Sequence, residues 1–497
     1  MTTKQRSAAT RIMKKFAFWS LIVFLSLAQA TALAAGTGAI NLPQYLQLVK
    51  ERNFAAKGSA QDKAGAEGRK SEADLIFSPL LFANGELSSN STPQDLDMMG
   101  AMYDKLETRK YSMGFSQTYQ FGLQAKLYYS LQHLHYYFPG QADTVHYNAS
   151  PVIELTQSLW QNAKGRYDQS KEDSIRAQAE TDKWSAENYL RTLLVNAEKA
   201  YWNLAVSREI VTIQERAVAD AQTILDYDTK RVKMNLMDKS DVLQAKASLE
   251  SKRLDLQTAK DAAAAALRDF CAYSNMQPSE QIAVAPVDWS ALMKLDNINR
   301  HGDRADVEMA QAQAAQNSAT ARMNVETDKP VFNVYLSQTL NGQNPNFSGV
   351  VGNSFNINKP ATTLGVKFSI PLKYSSQKEA RHGAELKEAA AKLTYRQKLL
   401  DQESDWRNLA AKLRDARARL EMAFSIEAAQ KEKLEYEKSR LKEGRTTTYQ
   451  ILSFEQDFSQ AQYNRATLAA TVLGLAAQVK LYGELPMPPA AIPAVTQ

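Results

Sequence analysis

Histidine and cysteine are the side chains of this sequence best suited to catalysis or metal binding, and both are scarce. The chain has five histidines and a single cysteine, Cys271. His133 and His135 alternate on one predicted strand and therefore share a face, but a zinc site needs at least three protein ligands and no third one follows at a useful spacing. Sequence motifs typical of hydrolases, metalloproteases and nucleotide-binding proteins do not occur. We expect no enzyme, no cofactor and no metal.

The N-terminus has the composition of a secretory signal peptide. Its basic residues are Lys4, Arg6, Arg11, Lys14 and Lys15. An apolar run over 16–27 and small residues at 32–34 follow them, as signal peptidase requires. The run is shorter than the roughly 20 residues of a spanning helix, so we predict a cleaved signal peptide over 1–34. Without these five cations the formal net charge of +6 falls to about +1, which removes the main support for a nucleic-acid partner.

The second half of the chain repeats the pattern of the first half. Each copy reads as a helix, strands, a long helical tract, a tight turn and a returning helix. We predict a first repeat over 35–275, a linker over 276–300, a second repeat over 301–483 and an extended proline-rich tail over 484–497. One cysteine forms no internal disulfide, so packing must stabilise the fold.

Two helical tracts of unusual length dominate the pattern. The tracts over 161–235 and 373–443 contain no proline, and each would be about 105–110 Å long. Their apolar residues recur with the four-three spacing of coiled coils. The spaced positions are Leu190, Leu194, Ala197, Tyr201 and Leu204 in the first tract, and Leu409, Leu413, Ala416, Leu420 and Ala423 in the second. We predict further helices over 42–76, 240–274, 304–327 and 449–482.

Short segments of alternating polarity predict β-strands. They lie at 80–89, 151–160, 331–339 and 363–372, with an additional hairpin at 111–136 that turns at Phe121-Gly122. About ten residues per strand suits a tilted strand that crosses an outer membrane, but a soluble β-sandwich shows the same alternation. Nearby aromatic residues suit either a girdle at the membrane interface or a hydrophobic core: Trp160, Tyr128, Tyr129, Tyr136 and Tyr137.

The turns after the two long tracts carry the most specific signal. The first runs from Arg231 to Ala245, with Asn235 where a helix C-cap favours glycine, and the second runs from Ser439 to Leu452, with Gly444 at the same place. Ser240 and Thr448 are suited to cap the helices that follow. With these turns, the order of elements resembles the TolC-like outer-membrane efflux protein family over essentially the whole mature chain.

The resemblance implies a mainly α-helical fold with a membrane β-barrel. In this family three protomers contribute four strands each to a twelve-stranded barrel, and the long antiparallel coiled-coil helices form a periplasmic tunnel. The turns lie at the narrow periplasmic tip, where a periplasmic adaptor protein docks and connects the duct to an inner-membrane pump. By resemblance, the positions at the tip turns are Asn235, Leu236, Met237 and Gly444. The chain is then expected in the outer membrane as a homotrimer in contact with lipid.

This sequence departs from the family pattern at two places. The hairpin at 111–136 is additional, and it either enlarges the barrel or lengthens an extracellular loop. At the tip, Gln450 and Ser453 stand where some members have aspartates, and Thr446 replaces an arginine. Gln450 and Ser453 either line the constriction or form an exposed helix face.

Asp241 and Arg445 are the charged residues suited to hold the tip closed, as an ion pair that we call the latch. The alternative is an aspartate stabilised by the helix dipole beside a solvated arginine. The rival for the whole chain is a periplasmic adaptor or structural coiled-coil protein without a channel. Adaptors have one helical hairpin, whereas this sequence predicts two in tandem.

Overall fold

The computed structural model describes residues 39–91, 103–138, 142–287, 300, 302–443 and 445–482. Within these ranges the chain is mainly helical and contains an antiparallel sheet. The predicted signal peptide, most of the predicted linker, the predicted tail and Gly444 lie outside the described residues.

The two long helices form where the proline-free tracts predict them. Helix α3 spans Arg166–Lys233 and helix α7 spans Tyr374–Lys442. Helix α3 begins later than predicted because Asn162 and Lys164 adopt left-handed conformations, with φ of 59° and 57°. Eight of the ten predicted coiled-coil positions are confirmed as buried, whereas Leu190 and Leu194 are half-buried. Those with an exposed fraction of 2% or less are Ala197, Tyr201, Leu204, Leu413, Ala416 and Leu420.

The remaining helices are shorter. They are α1 (Leu42–Arg52), α2 (Phe54–Asp74), α4 (Lys239–Ser274), α5 (Ala305–Thr327), α6 (Phe347–Asn353) and α8 (Thr448–Val479). The prediction of one helix over 42–76 was wrong, because Asn53 interrupts it. The Asn53 side chain accepts hydrogen bonds from the backbone nitrogens of Ala55, at 2.9 Å, and Ala56, at 3.1 Å. Asparagine is among the strongest N-caps, so a new helix begins there.

The strands form one sheet with strictly antiparallel neighbours. They are β1 (Leu80–Asn90), β2 (Lys105–Thr118), β3 (Leu123–Tyr137), β4 (Thr144–Ser158), β5 (Val331–Leu340), β6 (Gly342–Asn344) and β7 (Pro360–Ser369). The order across the sheet is β1-β2-β3-β4-β5-β7, and β6 continues the pairing of β5 with β4. The additional hairpin, β2 and β3, therefore lies inside the sheet.

Two glycines allow the β2–β3 turn to pack against the start of α3. Gly122 and Gly165 have φ of 82° and 71°. A Cβ atom on Gly165 would lie 1.9 Å from the carbonyl oxygen of Gln120, and one on Gly122 would lie 2.7 Å from that of Asn162. Both positions therefore require glycine, for conformation and for space. The predicted turn at Phe121-Gly122 is confirmed.

Strand β4 is longer than predicted. It begins at Thr144 instead of residue 151 and ends at Ser158, before Trp160. Proline interrupts a strand pattern because it lacks a backbone donor, but here Pro151 lies where the ladder on one side is broken. Val152 pairs with Thr339 of β5 and Ala149 pairs with Gly342 of β6, so Pro151 falls in the gap between them.

The connection from β5 to β7 contains the short helix α6, which the asparagine- and glycine-rich sequence did not predict. It packs on one face of the sheet. The ring of Phe347 meets Tyr147 at 5.9 Å, and the hydroxyl of Tyr129 donates to Ser354 Oγ at 3.0 Å. Seven residues are too few to give a helical period in a sequence, which explains the omission.

The described residues form two compact units. The first comprises residues up to Leu48 together with those from Ala200 to residue 287. Its centre is an aromatic cluster in which Tyr45 stacks on Phe270 at 4.0 Å and donates a hydrogen bond to the Phe270 carbonyl at 2.9 Å. Tyr201 completes the cluster and donates to the Ile40 carbonyl at 3.0 Å. Burial and nearby Cys271 and Tyr273 raise the pKa of Tyr45.

The second unit comprises Val49–Lys199 and the described residues after 289, so it contains the whole sheet. Its helices are joined by ion pairs in regular register. Between α2 and α3, Lys63 contacts Glu187 and Arg69 contacts Asp182, each at 2.8 Å, while Arg176 contacts Asp74 at 2.6 Å. Along these pairs the residue numbers in α2 rise while those in α3 fall, so the two helices are antiparallel.

Candidate functional site: the sheet and two helical turns

One face of the sheet is apolar across all of its long strands. Side chains that are directly paired across an antiparallel ladder point to the same face. One such row runs from Leu81 through Phe115 and Leu127 to Ile153. A parallel row joins Leu336 to Leu364. The exposed large side chains of this apolar face are Leu81, Leu87, Tyr111, Met113, Phe115, Leu127, Ile153, Leu336, Leu364, Val366 and Phe368.

The opposite face of the sheet is polar. The row next to the one above runs from Ser116 through Lys126 and Glu154 to Ser337, and Leu80, the partner of Ser116 in β1, is its one apolar member. Across this face the hydroxyl of Tyr128 donates to Glu154 Oε1 at 2.7 Å. A sheet with one apolar and one polar face has either a core or a membrane on its apolar side and water on the other.

Outside the area that α6 covers, the apolar face is exposed in the described part of the chain instead of being packed in a core. Phe115 is 57% exposed and Leu364 is 73% exposed. An apolar surface of this extent indicates contact with a membrane or with another protein. The strands have 10 to 15 residues, which is enough for the 9–11 residues of a tilted membrane strand.

The aromatic residues of the sheet do not all lie on one face. Tyr129 is on the apolar face, but Tyr128 and Tyr136 are on the polar face, because successive side chains of a strand point to opposite sides. Tyr128 and Tyr136 therefore lie on the face opposite to the apolar one, and the aromatic girdle stays a prediction. His133 and His135 do share the predicted face, with ring centroids 6.5 Å apart. Among the described residues no cluster of three or more metal ligands occurs.

The first helical turn is closed by a Schellman motif. Asn235 has φ of 58°, which confirms the predicted left-handed residue at the end of α3. The Leu236 nitrogen donates to the Arg231 carbonyl at 2.9 Å, and the Asn235 nitrogen donates to that of Val232 at 3.0 Å. Helix α4 then begins at Lys239 with Asp238 as its N-cap, so the prediction of Ser240 as the cap was wrong.

The second turn uses the same closing bond. The Arg445 nitrogen donates to the Arg440 carbonyl at 2.9 Å, the counterpart of the Leu236 bond in the first turn. Thr447, not Thr448, caps helix α8, and its hydroxyl accepts from the Gln450 nitrogen at 3.3 Å. The equivalent bonds support the reading of the chain as a tandem duplication.

The structure places the polar tip residues individually. Arg445 contacts Glu443 at 3.3 Å within its own turn, and Thr446 is half-buried beside it. Gln450 and Ser453 are exposed on the first turns of α8. Asp241 lies in the first turn of α4, in the other compact unit from Arg445. The latch therefore stays a prediction.

Sequence reasoning named Leu236 and Met237 at the first turn but missed the exposed apolar residues beside them. Besides Leu236, the exposed large side chains include Met234 and Leu243, at 62% and 67%. Met237 is half-buried. Tyr449 is the exposed aromatic residue of the second turn, at 66%. The sequence did contain a signal for this surface, namely apolar residues next to a helix end. Helix capping explains the polar residues of a turn but not its apolar ones.

Comparison with known proteins identifies the fold. No protein-family model and no curated protein sequence matches the chain. Among solved structures, the outer-membrane channel OprN matches with a TM-score of 0.62 and 16% identity, over 89% of each chain. The open state of the Neisseria gonorrhoeae MtrE outer membrane channel gives 0.60 and 15%, over 89% of this chain and 88% of that chain. The outer membrane protein VceC from Vibrio cholerae gives 0.61 and 13%, over 89% and 95%.

The chain has the fold of these outer-membrane channels. This confirms the TolC-like fold that the turns and the tandem pattern predicted. The channel fold accounts for the two-faced sheet and for the two long helices. Within the described residues, no helix is both long and apolar enough to cross a membrane.

Proposed function

We propose that this chain is the outer-membrane exit duct of a tripartite efflux or type I secretion system. It would act as a homotrimer, with the sheet in the outer membrane and the long helices in the periplasm. A periplasmic adaptor protein would dock at the two helical turns and connect the duct to an inner-membrane pump. The neighbouring structures, which are outer membrane channels, support this proposal.

The observation that carries the proposal is the exposed apolar face on a sheet whose other face is polar. A lipid-facing apolar band around a polar interior is the arrangement of a water-filled membrane barrel. Most exposed positions of the long helices are instead polar, such as Arg419 and Lys431 on α7, although α7 also exposes Leu386, Leu393 and Leu400. The two parts suit lipid and water, respectively.

The duct would work passively. Its polar sheet face, with Lys126, Glu154 and Lys367, would line a hydrated path, and the pump would supply the energy. The apolar side chains Met234, Leu236 and Tyr449 would give the adaptor a hydrophobic contact at the turns. Opening would be a realignment of the helices that end there.

Density-gradient fractionation of cell membranes tests the proposal. We expect a heat-modifiable trimer in the outer-membrane fraction. A soluble periplasmic monomer would contradict the duct and favour the adaptor-like alternative.

Two substitutions at neighbouring positions of β2 make the test specific to the sheet faces. Phe115→Arg places a charge on the apolar face and should cost about 2–4 kcal/mol near the bilayer midplane. The matched control, Ser116→Arg, places the same charge on the polar face. We expect the trimer band from the outer membrane to be depleted for the first variant and retained for the second. Equal depletion of both would contradict the assignment of the faces.

A further inference from the structure

The additional hairpin is bonded into the sheet on both of its sides. Strand β2 pairs with β1 along the whole of β1, from Leu80↔Ser116 to Asn90↔Leu106. Strand β3 pairs with β4 from Leu123↔Gln157 to Tyr136↔Thr144. The hairpin therefore separates β1 from β4 as part of the same wall and does not extend from it as a loop.

Both faces of the hairpin match the faces of the other strands. Met113, Phe115 and Leu127 continue the apolar face, whereas Ser112, Ser116 and Lys126 continue the polar face. An extracellular loop would have no need for a continuous apolar side. In the half next to the β2–β3 turn, the hairpin therefore has the polarity pattern of a membrane-spanning barrel wall.

The stagger of the strands fits a closed barrel. Following direct partners from Leu80, the first residue of β1, leads across the sheet to Thr363 of β7. Thr363 is six residues before Ser369, where β7 ends on the same side of the sheet. The row is thus displaced along the strands by six residues of about 3.3 Å each, over a width of five strand spacings of about 4.8 Å each. The ratio of these two distances corresponds to a strand tilt of about 40°. Outer-membrane barrels have tilts of about 35–45°.

The sheet has two open edges, β1 and β7. Ten of the eleven residues of β1 and nine of the ten of β7 are exposed. Exposed apolar edges such as Leu364-Gly365-Val366 aggregate unless another strand pairs with them. Six strands are fewer than the eight of the smallest outer-membrane barrels, so the sheet of one chain does not close on itself.

We propose that β1 of each protomer pairs with β7 of the next protomer, so that three sheets close into an eighteen-stranded barrel. This inference rests on the proposed trimeric duct. The strands alternate in direction from β1 to β7, so the new pair is antiparallel like all the others. The same pairing brings Leu81 and Ala83 to the side of Val366 and Phe368, which keeps the apolar face continuous.

The barrel is wider than the twelve-stranded one that the family resemblance implies. With a tilt of about 40° and a strand spacing of about 4.8 Å, eighteen strands give a backbone diameter of about 36 Å, against about 24 Å for twelve. A polar lumen of this width leaves an aqueous outlet as wide as those of large porins. The hairpin thus enlarges the outlet by about half in diameter.

Disulfide cross-linking tests the pairing of β1 with β7. In a Cys271→Ser background, which has no other cysteine, Ala83→Cys is combined in turn with Leu364→Cys, Val366→Cys and Phe368→Cys. We expect one of these three pairs to link protomers into dimers and trimers on non-reducing gels. The control, Ala83→Cys with Lys367→Cys, places the two thiols on opposite faces and should not link. Failure of all three pairs, or links only within a chain, would overturn the inference.

Electron cryo-microscopy of the wild-type trimer in lipid nanodiscs separates this inference from the proposed function. Eighteen strands in the barrel wall would support both. A trimer with a twelve-stranded wall and the β2–β3 hairpin outside it would refute the inference and leave the duct intact. A monomer that does not enter nanodiscs would refute both.

Discussion

Arg445 and Asp241 are the two charged residues from which the sequence predicts a latch at the tip. Arg445 contacts Glu443 at 3.3 Å, and their side chains are 73% and 52% exposed. Exposed ion pairs contribute at most about 1 kcal/mol, so the contact with Glu443 leaves Arg445 able to exchange partners. In the proposed duct we therefore expect Arg445 to exchange Glu443 for Asp241.

Single-channel conductance in planar bilayers tests the latch. A pair worth about 1 kcal/mol changes the ratio of closed to open states about fivefold. We expect Asp241→Ala and Arg445→Ala each to raise the ratio of open to closed states about fivefold. Glu443→Gln is the matched control, because it removes the local partner of Arg445 and should cause no increase. Unchanged conductance in both alanine variants would remove the latch.

At the scale of elements, a partly buried ion-pair network joins the start of α5 to α7. Arg304 donates to Asp306 Oδ1 at 2.9 Å and to Asp405 Oδ2 at 2.7 Å, and Lys398 contacts Asp306 at 3.3 Å. Burial by itself raises the pKa of Asp306, but hydrogen bonds from Arg304 and Lys398 outweigh it, so the pKa lies below its ordinary value of 3.8. The ionised carboxylate is therefore favoured in the folded state.

This network predicts a pH dependence of stability. A lowered folded-state pKa stabilises the protein above pH 3.8 and loses that effect as the pH falls through the folded-state value. We expect Asp306→Asn to reduce the free energy of unfolding by about 2 kcal/mol at neutral pH and to weaken its acid dependence. Thermal unfolding of the purified protein from pH 7 to pH 2 measures both. Arg322→Gln, in an exposed ion pair with Asp173, is the control and should change little. Parallel acid profiles for wild type and Asp306→Asn would contradict this role.

The register of the elements explains which local predictions succeeded. The buried residues Leu413, Ala416 and Leu420 were predictable because the spacing of apolar residues repeats over many helical turns. Such a repeat is a stronger signal than the preference of any single residue. The caps were wrong by one or two residues, at Asp238 and Thr447, because neighbouring polar residues compete for the same role. Strand β4 was too short in the prediction because a proline inside a strand is tolerated only where the neighbouring ladder is interrupted.

At the scale of the whole molecule, the number of strands sets the width of the proposed barrel. Removing the hairpin by joining residue 91 to Thr144 through an Asn-Gly turn would leave four long strands per protomer. Ladder partners across the hairpin show that β1 and β4 share face assignments, with Leu81 and Ile153 on the apolar face. The shortened sheet therefore keeps one apolar and one polar face.

We expect the hairpin-deleted variant to form a trimer whose barrel diameter is smaller by about one third, because diameter grows almost linearly with strand number. Electron cryo-microscopy of both proteins in nanodiscs measures the diameter directly. A matched variant that replaces only residues 92–102 with a flexible linker of equal length should retain the full width. Equal diameters for the deleted and wild-type barrels would show that the hairpin lies outside the wall.

The sequence by itself determined the tandem order of elements, the two long helices and the left-handed Asn235, because these follow from periodicity and local backbone preference. It also determined that each strand has two unlike faces. Only the tertiary structure decided that β2 and β3 lie between β1 and β4, since strand pairing joins residues far apart in the chain and alternation of polarity does not specify a neighbour. The same pairing decided which tyrosines face which side, and it supplied the count of strands from which the width of the proposed barrel follows.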